Sequence, residues 1–285
     1  MHAGAEAGAG PAAILDVRSE ALFAAGHAPG AANIPLEDLP RRSHELPPKG
    51  SGILLYDADP DRLRRAADAL RQRGYAVGEA VPAQADLRES GPSRARLWQP
   101  SPFLVEALEH IRPPDADAPP DADAPPDADA PPGRALDVAC GAGREAVYLA
   151  LCGYEVEAVD VLPDALERAA DLARRSGVRL TVTRQNLRRD TELPAQRYDL
   201  VTVFRFVHRL LLPAVGQSVA PGGYLVYEAF NWRDAAAGRK PLKPGHVLRD
   251  GELAAAFAGF EVLIARDGVE RGGRVFSQLL ARRNS

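Results

Sequence analysis

The sequence has few residues of several kinds: two cysteines, one methionine and two tryptophans among 285 residues. Cys140 and Cys152 cannot form a disulfide framework or a cysteine-rich metal site and are typical of a reducing compartment, so we expect a cytoplasmic location. No apolar run reaches the roughly 18 residues that a membrane span needs. Residues 1–13 have neither the basic start nor the apolar centre of a signal peptide. We therefore expect no association with membranes.

The sequence also has few lysines and a small net charge. Only three of the 35 basic residues are lysine, and the formal net charge is −4. Such a chain, without a basic stripe, zinc cluster or aromatic-rich platform, is not typical of nucleic-acid-binding proteins. Its hydrophobic content of 46% and charged content of 26% are those of a globular protein. The length allows one large or two ordinary domains, and we expect a small-molecule ligand.

An acidic repeat interrupts the sequence. Pro-Pro-Asp-Ala-Asp-Ala occurs three times from residue 113 to residue 130, and two further prolines follow. A stretch without large apolar residues cannot bury a core, so residues 113–132 are predicted to form a disordered linker. An acidic docking tail is the alternative. The Ala/Gly-rich residues 1–11 are predicted to form a disordered tail.

The sequence before the repeat predicts a small α/β domain at residues 12–82, followed by a polar connector at 83–95. Strands alternate with an amphipathic helix, which is apolar at Leu63, Ala66, Ala67 and Leu70 and ends at Gly74. The phrases LDVR at 15–18 and GHAPGA at 26–31, and the strand–loop–helix at 53–73, resemble those of rhodanese-like domains.

This resemblance implies a persulfide-forming cysteine at the start of the loop that follows the central strand. Asp57 occupies that position, and a carboxylate cannot carry a sulfane sulfur. We therefore expect this rhodanese-like domain to be inactive as a sulfurtransferase. Binding of sulfur compounds, docking of a protein partner and retention for packing remain alternative roles.

A second domain, at residues 96–285, shows strands alternating with helices. This alternation predicts a mostly parallel sheet that helices cover on both faces. The predicted strands are 135–139, 155–159, 179–183, 198–204, 223–229, 261–265 and 275–282, and the predicted helices are 144–152, 163–175, 208–219 and 249–258.

A glycine turn follows the first predicted strand of this domain, in the stretch ALDVACGAGREA at 135–146. The pattern predicts strand, turn and helix, the start of a βαβ unit. Gly141 and Gly143 let the backbone approach a ligand, and the next helix points its free N–H groups at it. With Asp160 ending the next strand, the spacing also fits a dinucleotide fingerprint. A NAD(P)-dependent oxidoreductase is therefore one interpretation.

Asp137 favours a different ligand. A carboxylate four residues before Gly141 would repel a pyrophosphate but attract the ammonium and sulfonium of S-adenosyl-L-methionine (SAM). One such pair at ~4 Å and an effective dielectric constant of ~20 contributes up to ~4 kcal/mol before desolvation. An acid that merely caps the turn is the alternative. The stretch resembles motif I of class I SAM-dependent methyltransferases, and its Ala-Cys-Gly-x-Gly-Arg wording is similar to that of tellurite-resistance-type and thiol-type members. Ala139 stands where the family has its first glycine.

This resemblance implies a Rossmann-like, seven-stranded class I methyltransferase domain with SAM as its cofactor. It also implies that Asp160 binds the ribose hydroxyls and that Asn186 accepts a hydrogen bond from the adenine amino group. The implied cofactor-binding residues are Asp137, Ala139, Gly141, Gly143, Asp160, Val161, Leu162, Asn186, Leu187 and Phe204. No metal is expected.

The candidate catalytic residues follow the fourth and fifth predicted strands, because ligands of open α/β sheets bind beyond the carboxyl ends of the strands. A thiolate or chalcogen oxyanion would need no strong base, and Arg205, His208 and Arg209 are candidates for holding such an anion. An oxygen or nitrogen acceptor would need a general base, for which His208 and Glu228 are the candidates. The predicted catalytic set is Arg205, His208 and Glu228. Alternatively, the arginines pair with surface acids and His208 caps a helix.

These observations predict a SAM-dependent methyltransferase that acts on a small molecule, with a thiol or a chalcogen oxyanion as the acceptor. An NAD(P)-dependent oxidoreductase, or a non-catalytic protein that binds SAM or sulfur compounds, is the alternative.

Overall fold

A computed structural model describes residues 13–80, 87–93, 95–111, 133–237 and 243–284. The chain divides between Gln99 and Pro100 into two compact units, each of which is described by itself. The predicted tail at 1–11 and the predicted linker at 113–132 lie outside the described residues.

Four parallel strands form the sheet of the first unit, in the order β2-β1-β3-β4. The strands are β1 (Ala13–Asp16), β2 (Ala32–Asn33), β3 (Gly52–Tyr56) and β4 (Ala76–Ala80), and the helices are α1 (Glu20–Ala25) and α2 (Pro60–Arg71). Asp59 caps α2 by accepting hydrogen bonds from the backbone N–H groups of Asp61 and Arg62. The predicted apolar face of α2 is buried against the core of the unit, which confirms a small α/β fold.

Seven strands form the sheet of the second unit, in the order β10-β11-β9-β8-β5-β6-β7. They are β5 (Arg134–Val138), β6 (Glu155–Asp160), β7 (Thr181–Arg184), β8 (Tyr198–Phe204), β9 (Val219–Phe230), β10 (Phe260–Arg271) and β11 (Arg274–Arg283). All neighbouring pairs are parallel except those of β11, which is antiparallel to both β9 and β10. The predicted seven-stranded α/β fold is confirmed.

Helices cover both faces of this sheet, and the sheet separates two apolar clusters. The helices are α3 (Pro102–His110), α4 (Arg144–Leu151), α5 (Pro163–Arg175), α6 (Leu212–Ser218) and α7 (Glu252–Ala256). Phe103 and Leu149 pack in one cluster, whereas Val215 and Phe257 pack in the other. Each cluster joins one face of the sheet to its helices, as expected for a three-layer α/β unit.

Several predicted elements differ in length from the structure. The predicted strand at 223–229 extends over the whole of β9, and the predicted helix at 249–258 is α-helical only over α7. The predicted helix at 208–219 is α-helical only over α6, because a 3-10 turn at Arg209–Leu211 precedes it and Pro213 lies in its first turn. The predicted strand at 261–265 is much longer, since β10 extends to Arg271 and pairs with β11 as a hairpin. Gly272 and Gly273, with φ of 56° and 68°, form the tight turn between these strands.

The order of the central strands places the site. β5 pairs with β6 on one side and with β8 on the other, so the chain leaves β5 in one direction and returns on its opposite side. A crevice forms at the carboxyl ends of the strands where the order reverses in this way. The glycine turn follows β5 at this crevice.

Candidate functional site

The turn after β5 has a left-handed backbone at three positions. Ala139, Gly141 and Gly143 have φ of 60°, 56° and 78°. The turn is held by the backbone N–H of Cys140, which donates to Val159 on the neighbouring strand at 3.0 Å. Ala139 takes a conformation that glycine adopts without strain, so this difference from the family motif leaves the shape of the turn unchanged.

The two glycines have different surroundings. A Cβ atom added to Gly143 would lie 2.6 Å from Cβ and 3.0 Å from Cα of Ala169, because the start of α4 packs directly on α5. A Cβ added to Gly141 would meet nothing within 4 Å. Gly143 is therefore required for helix packing, whereas Gly141 borders open space at the end of the sheet.

Asp137 lies at the end of β5 with only 1% of its surface exposed. Its Oδ1 accepts a hydrogen bond of 2.9 Å from the hydroxyl of Thr202 on β8. Its Oδ2 is buried and has no hydrogen-bond partner among the described residues. Burial, together with the nearby Glu145 carboxylate, raises the pKa of Asp137 to about 8. A buried acceptor without a donor is costly in the free protein, so this oxygen is open to a donor from a ligand or from water.

Asp160 ends β6 and supports the same turn. Its Oδ2 accepts from the backbone N–H of Gly141 and its Oδ1 from that of Leu162, each at 2.9 Å. A carboxylate has about four acceptor sites, so both oxygens keep capacity for the two hydroxyls of a ribose. The apolar side chains of Val161 and Leu162 beside it are 39% and 58% exposed.

The remaining predicted cofactor residues lie at the ends of β7 and β8. Asn186 is half-buried, and its side-chain carbonyl accepts from the backbone N–H of Arg188 at 3.2 Å. The side chains of Leu187 and Phe204 are buried in the two apolar clusters. Contact of Leu187 with a cofactor would therefore use its backbone. The cofactor roles of these residues stay predictions.

Both arginines predicted at the reactive end have carboxylate partners. Arg205, which has φ of 57°, forms an ion pair of 2.9 Å with the buried Glu145. Arg209 contacts both carboxylate oxygens of Glu252, at 2.6 and 2.9 Å. Both arginines therefore pair with acids, as in the alternative interpretation, but Glu145 is buried and Glu252 is partly buried, whereas that interpretation named surface acids.

His208 lies at the N-cap position of the 3-10 turn, but its side chain makes no capping hydrogen bond. His208 therefore occupies the cap position, as in the alternative interpretation, but only its backbone carbonyl takes part, accepting from the N–H of Leu211 at 2.9 Å. Its Nε2 is buried and lacks a hydrogen-bond partner among the described residues. The predicted catalytic role of His208 stays a prediction.

Glu228 on β9 is 1% exposed and accepts hydrogen bonds from three side chains. Arg271 donates to both of its oxygens at 2.9 and 2.6 Å, Gln278 donates at 2.8 Å, and the hydroxyl of Ser101 donates at 3.0 Å. These contacts join α3, β9, β10 and β11. They favour a structural role for Glu228, and its predicted role as a general base remains untested.

The structure thus brings Asp137, Gly141 and Asp160 together at one crevice. Thr202 and Glu145, which border the same crevice, were not among the predicted residues. Thr202 had a usable signal, because it is the one polar side chain among the apolar residues 200–204 of β8. Glu145 is a buried acid in the first turn of α4, and the sequence alone does not indicate its burial.

The first unit places Asp57 where the resemblance implies a sulfur nucleophile. Its buried carboxylate accepts from the backbone N–H of Asp59 and from Nε of Arg62, both at 3.0 Å. Arg62 also pairs with Glu37 at 2.7 Å. The loop after β3 therefore holds an ion-pair network, and both cysteines of the chain lie in the second unit.

Neither a metal cluster nor a membrane span is found in the described parts of the chain. No group of three or more His, Cys, Asp or Glu side chains there could hold a metal ion. None of the helices described there is long and apolar enough to cross a membrane.

The residues present fit SAM. The free Oδ2 of Asp137 suits an ammonium, the remaining acceptor sites of Asp160 suit ribose hydroxyls, and Gly141 leaves open space between them. The antiparallel β11 separates this sheet from the dinucleotide-binding order, in which six parallel strands follow one another. The strand order is that of the class I methyltransferase fold.

The domain families agree with this class. Residues 135–223 match the methyltransferase domain family, and residues 3–80 match the rhodanese-like domain family. The second unit therefore carries a methyltransferase domain, and a rhodanese-like domain lies on its N-terminal side in the chain. SAM is the methyl donor of this class.

Several relatives are similar over different parts of the chain. The uncharacterized protein UNK4.09 of Schizosaccharomyces pombe is 23% identical over 94% of this chain and 93% of its own length. The ubiquinone biosynthesis O-methyltransferase of Vibrio cholerae is 28% identical over 34% of this chain and 42% of its own length. The crystal structure of TehB from Haemophilus influenzae has a TM-score of 0.50 at 18% identity and covers 64% of this chain and 61% of that one. The likeness to TehB shows the fold.

Proposed function

We propose that this methyltransferase transfers the methyl group to a thiolate or a chalcogen oxyanion of a small molecule. The observation that carries this proposal is the pairing of three carboxylates with arginines. Glu145 of α4, Glu228 of β9 and Glu252 of α7 each accept from an arginine. A carboxylate held in this way is a poor general base, so the arrangement favours an acceptor that is already a nucleophilic anion at neutral pH.

The proposed cofactor site uses four kinds of contact. Bound SAM supplies a methyl group that its sulfonium already activates. Asp137 Oδ2 binds the ammonium, Asp160 binds the ribose hydroxyls, and Val161 and Leu162 pack against the adenine, whose amino group donates to Asn186. These contacts fix the orientation of the donor, and orientation is the main contribution that a protein makes when the leaving group is already activated.

The test of the cofactor site compares two aspartates by calorimetric titration with S-adenosylhomocysteine (SAH). Asp160→Ala removes the proposed ribose contact and is expected to weaken SAH binding by at least tenfold. Asp164→Ala removes an exposed acid in the first turn of α5 and serves as the matched control, with unchanged binding. Equal loss in both variants, or tighter binding of NADH than of SAH by the wild type, would overturn this site.

The test of the acceptor follows labelled methyl groups. Wild-type protein with SAM is expected to label a small thiol or selenite, and to label phenols and amines of similar size much more slowly. If oxygen or nitrogen acceptors were labelled at least as fast as thiols and selenite, the proposed acceptor class would be wrong. Tight SAH binding without transfer to any acceptor or cell extract would favour a non-catalytic role.

For the rhodanese-like unit we infer a role without sulfur transfer. Asp57, with its ion pair to Arg62 and its hydrogen bond from the backbone N–H of Asp59, occupies the position at which a persulfide would form. Docking of a protein partner stays a hypothesis for this unit. Pull-down with the full chain and with a variant altered at exposed residues of the unit, such as Leu22→Asp, would test it.

A further inference from the structure

A cavity of about 350 Å³ lies at the carboxyl edge of the second unit's sheet. Its walls come from the segments that follow β7, β8 and β9, and most of its polar groups are basic. The lining side chains that matter here are Arg188, His208, Arg209, Lys243 and His246. A volume of this size suits a small molecule.

The positive charges of this cavity are not all compensated. Arg209 is neutralised by its two contacts with Glu252. Arg188 and Lys243, in contrast, have no carboxylate partner in the described part of the chain. Arg188 lies over the ring of Phe206, and its Nη2 is 3.2 Å from Nε2 of His246. Within the described residues, the cavity thus holds two permanent positive charges without a carboxylate partner, in a chain whose formal net charge is −4.

A third group in the wall also lacks a partner. Nε2 of His208 is buried and makes no hydrogen bond with any described residue. A buried polar atom of this kind costs free energy unless a ligand or a water contacts it. Its position beside two uncompensated cations, one residue before Arg209, indicates a ligand with acceptor oxygens.

We propose that this cavity binds an anionic group of the methyl acceptor, a carboxylate or an oxyanion, through Arg188, Lys243 and His208. The inference rests on the proposed function and assigns the acceptor's charge. It also replaces the sequence-based choice of Arg205 and Arg209 as anion ligands, because both of those arginines are paired with acids. Recognition by side chains from three separate segments makes the subsite selective for acidic acceptors over neutral ones.

The experiment measures binding of matched probes to the complex of the full chain with SAH. The probes are 3-mercaptopropionate, its neutral analogue 3-mercapto-1-propanol, and selenite as a separate oxyanion arm. The wild type is expected to bind at least one of the anions at least tenfold more tightly than the neutral thiol. Preference for selenite or for the carboxylate then identifies which anion the cavity takes.

The variant Arg188→Gln with Lys243→Gln is expected to lose this preference by at least tenfold while its affinity for SAH changes by less than twofold. Arg174→Gln, an exposed arginine near the end of α5, is the matched control. Equal binding of the neutral and anionic probes to the wild type would overturn the subsite. If the double variant lost as much affinity for SAH as for the anionic probe, the cavity would be assigned to the cofactor. Absence of SAH binding by the wild type would refute the proposed function itself.

Discussion

Thr202 and Asp137 are direct neighbours across the two central strands of the second unit, and the Thr202 hydroxyl donates a 2.9 Å hydrogen bond to Asp137 Oδ1. This bond fixes the orientation of the carboxylate and satisfies one oxygen. The other oxygen is buried, and no described residue donates a hydrogen bond to it. The free protein therefore carries an unfavourable group at the position where a cationic ligand would bind.

The first prediction concerns Asp137→Asn. Burial raises the pKa of Asp137 to about 8, against ~3.9 in an unfolded chain. Between these pH values the folded state holds a proton that the unfolded state lacks. Stability from this group is thus fully present below pH ~3.9 and is lost as pH rises to about 8, by up to ~1.4 kcal/mol per pH unit. In urea unfolding without ligand, the free energy of unfolding of the variant relative to that of the wild type should increase from pH 6 to pH 8.

The same variant should bind SAH at least tenfold more weakly, so that stability and binding change in opposite directions. Asp164→Asn is the control, with wild-type behaviour in both measurements. Parallel stability curves for Asp137→Asn and the wild type would contradict the raised pKa.

The second prediction concerns protons. An ammonium beside Asp137 stabilises the ionised carboxylate, so binding should lower the pKa of Asp137 from about 8. At pH 6.5 SAH binding should release close to one proton, and the affinity should increase with pH between about 6 and 7.5. Calorimetry in two buffers with different protonation enthalpies measures this release. A heat that does not depend on the buffer, or release that persists in Asp137→Asn, would count against this contact.

The third prediction separates the two glycines of the turn. Gly143→Ala should destabilise the protein by roughly 2–3 kcal/mol, because its Cβ would overlap Ala169 and its φ is positive. Gly141→Ala should cost only ~1 kcal/mol from its positive φ, since Ala139 already adopts this conformation in the same turn. SAH affinity of the folded Gly141→Ala protein should nevertheless fall at least tenfold. Unchanged SAH binding would show that the open space beside Gly141 is not occupied by the cofactor.

The fourth prediction concerns the buried Glu228. Arg271→Met leaves this carboxylate without its charged partner and should cost about 3 kcal/mol in urea unfolding. Arg266→Met is the matched control, because Arg266 lies on the same strand and pairs with Glu106 of α3 at the surface, where a pair contributes ~1 kcal/mol or less. Glu228→Gln should leave the pH profile of kcat/KM unchanged. Loss of one limb of that profile would instead identify Glu228 as a general base.

The fifth prediction concerns the rhodanese-like unit. Asp57→Ala removes a buried carboxylate that accepts two hydrogen bonds and should destabilise the unit by ~1–3 kcal/mol. Asp68→Ala, which breaks an exposed pair with Arg71, should change stability by less than ~0.5 kcal/mol. Neither variant nor the wild type should release thiocyanate from thiosulfate and cyanide. Release by the wild type would refute the assignment of Asp57 to the nucleophile position.

Much of the fold could be predicted from local patterns. The strand at 198–204 and the helix at 163–175 match β8 and α5 in their bounds, because strong apolar periodicity and Pro163 mark them. The extension of β10 beyond the predicted strand at 261–265 was not predicted, because β10 is an edge strand and residues 266–271 are mostly polar.

The site could be predicted only in part. Asp137 and Asp160 lie at the ends of neighbouring parallel strands, so the sequence predicts that they are close together in space. The partners of the reactive-end side chains could not be predicted, because Arg205 and Glu145 are 60 residues apart in sequence and Arg271 and Glu228 are 43 apart. Only the packed fold decides which charges are paired.

The central position of β5 also affects how the second unit folds. In the sequence, its partner β8 comes only after β6, α5 and β7, and Asp137 and Thr202 are separated by 65 residues. Pairing them closes a long loop, whose entropy must be lost before the central contacts form. Sheets built from such distant pairs fold slowly. The crevice beside Asp137 is therefore complete only when this long loop has closed and β8 is paired with β5.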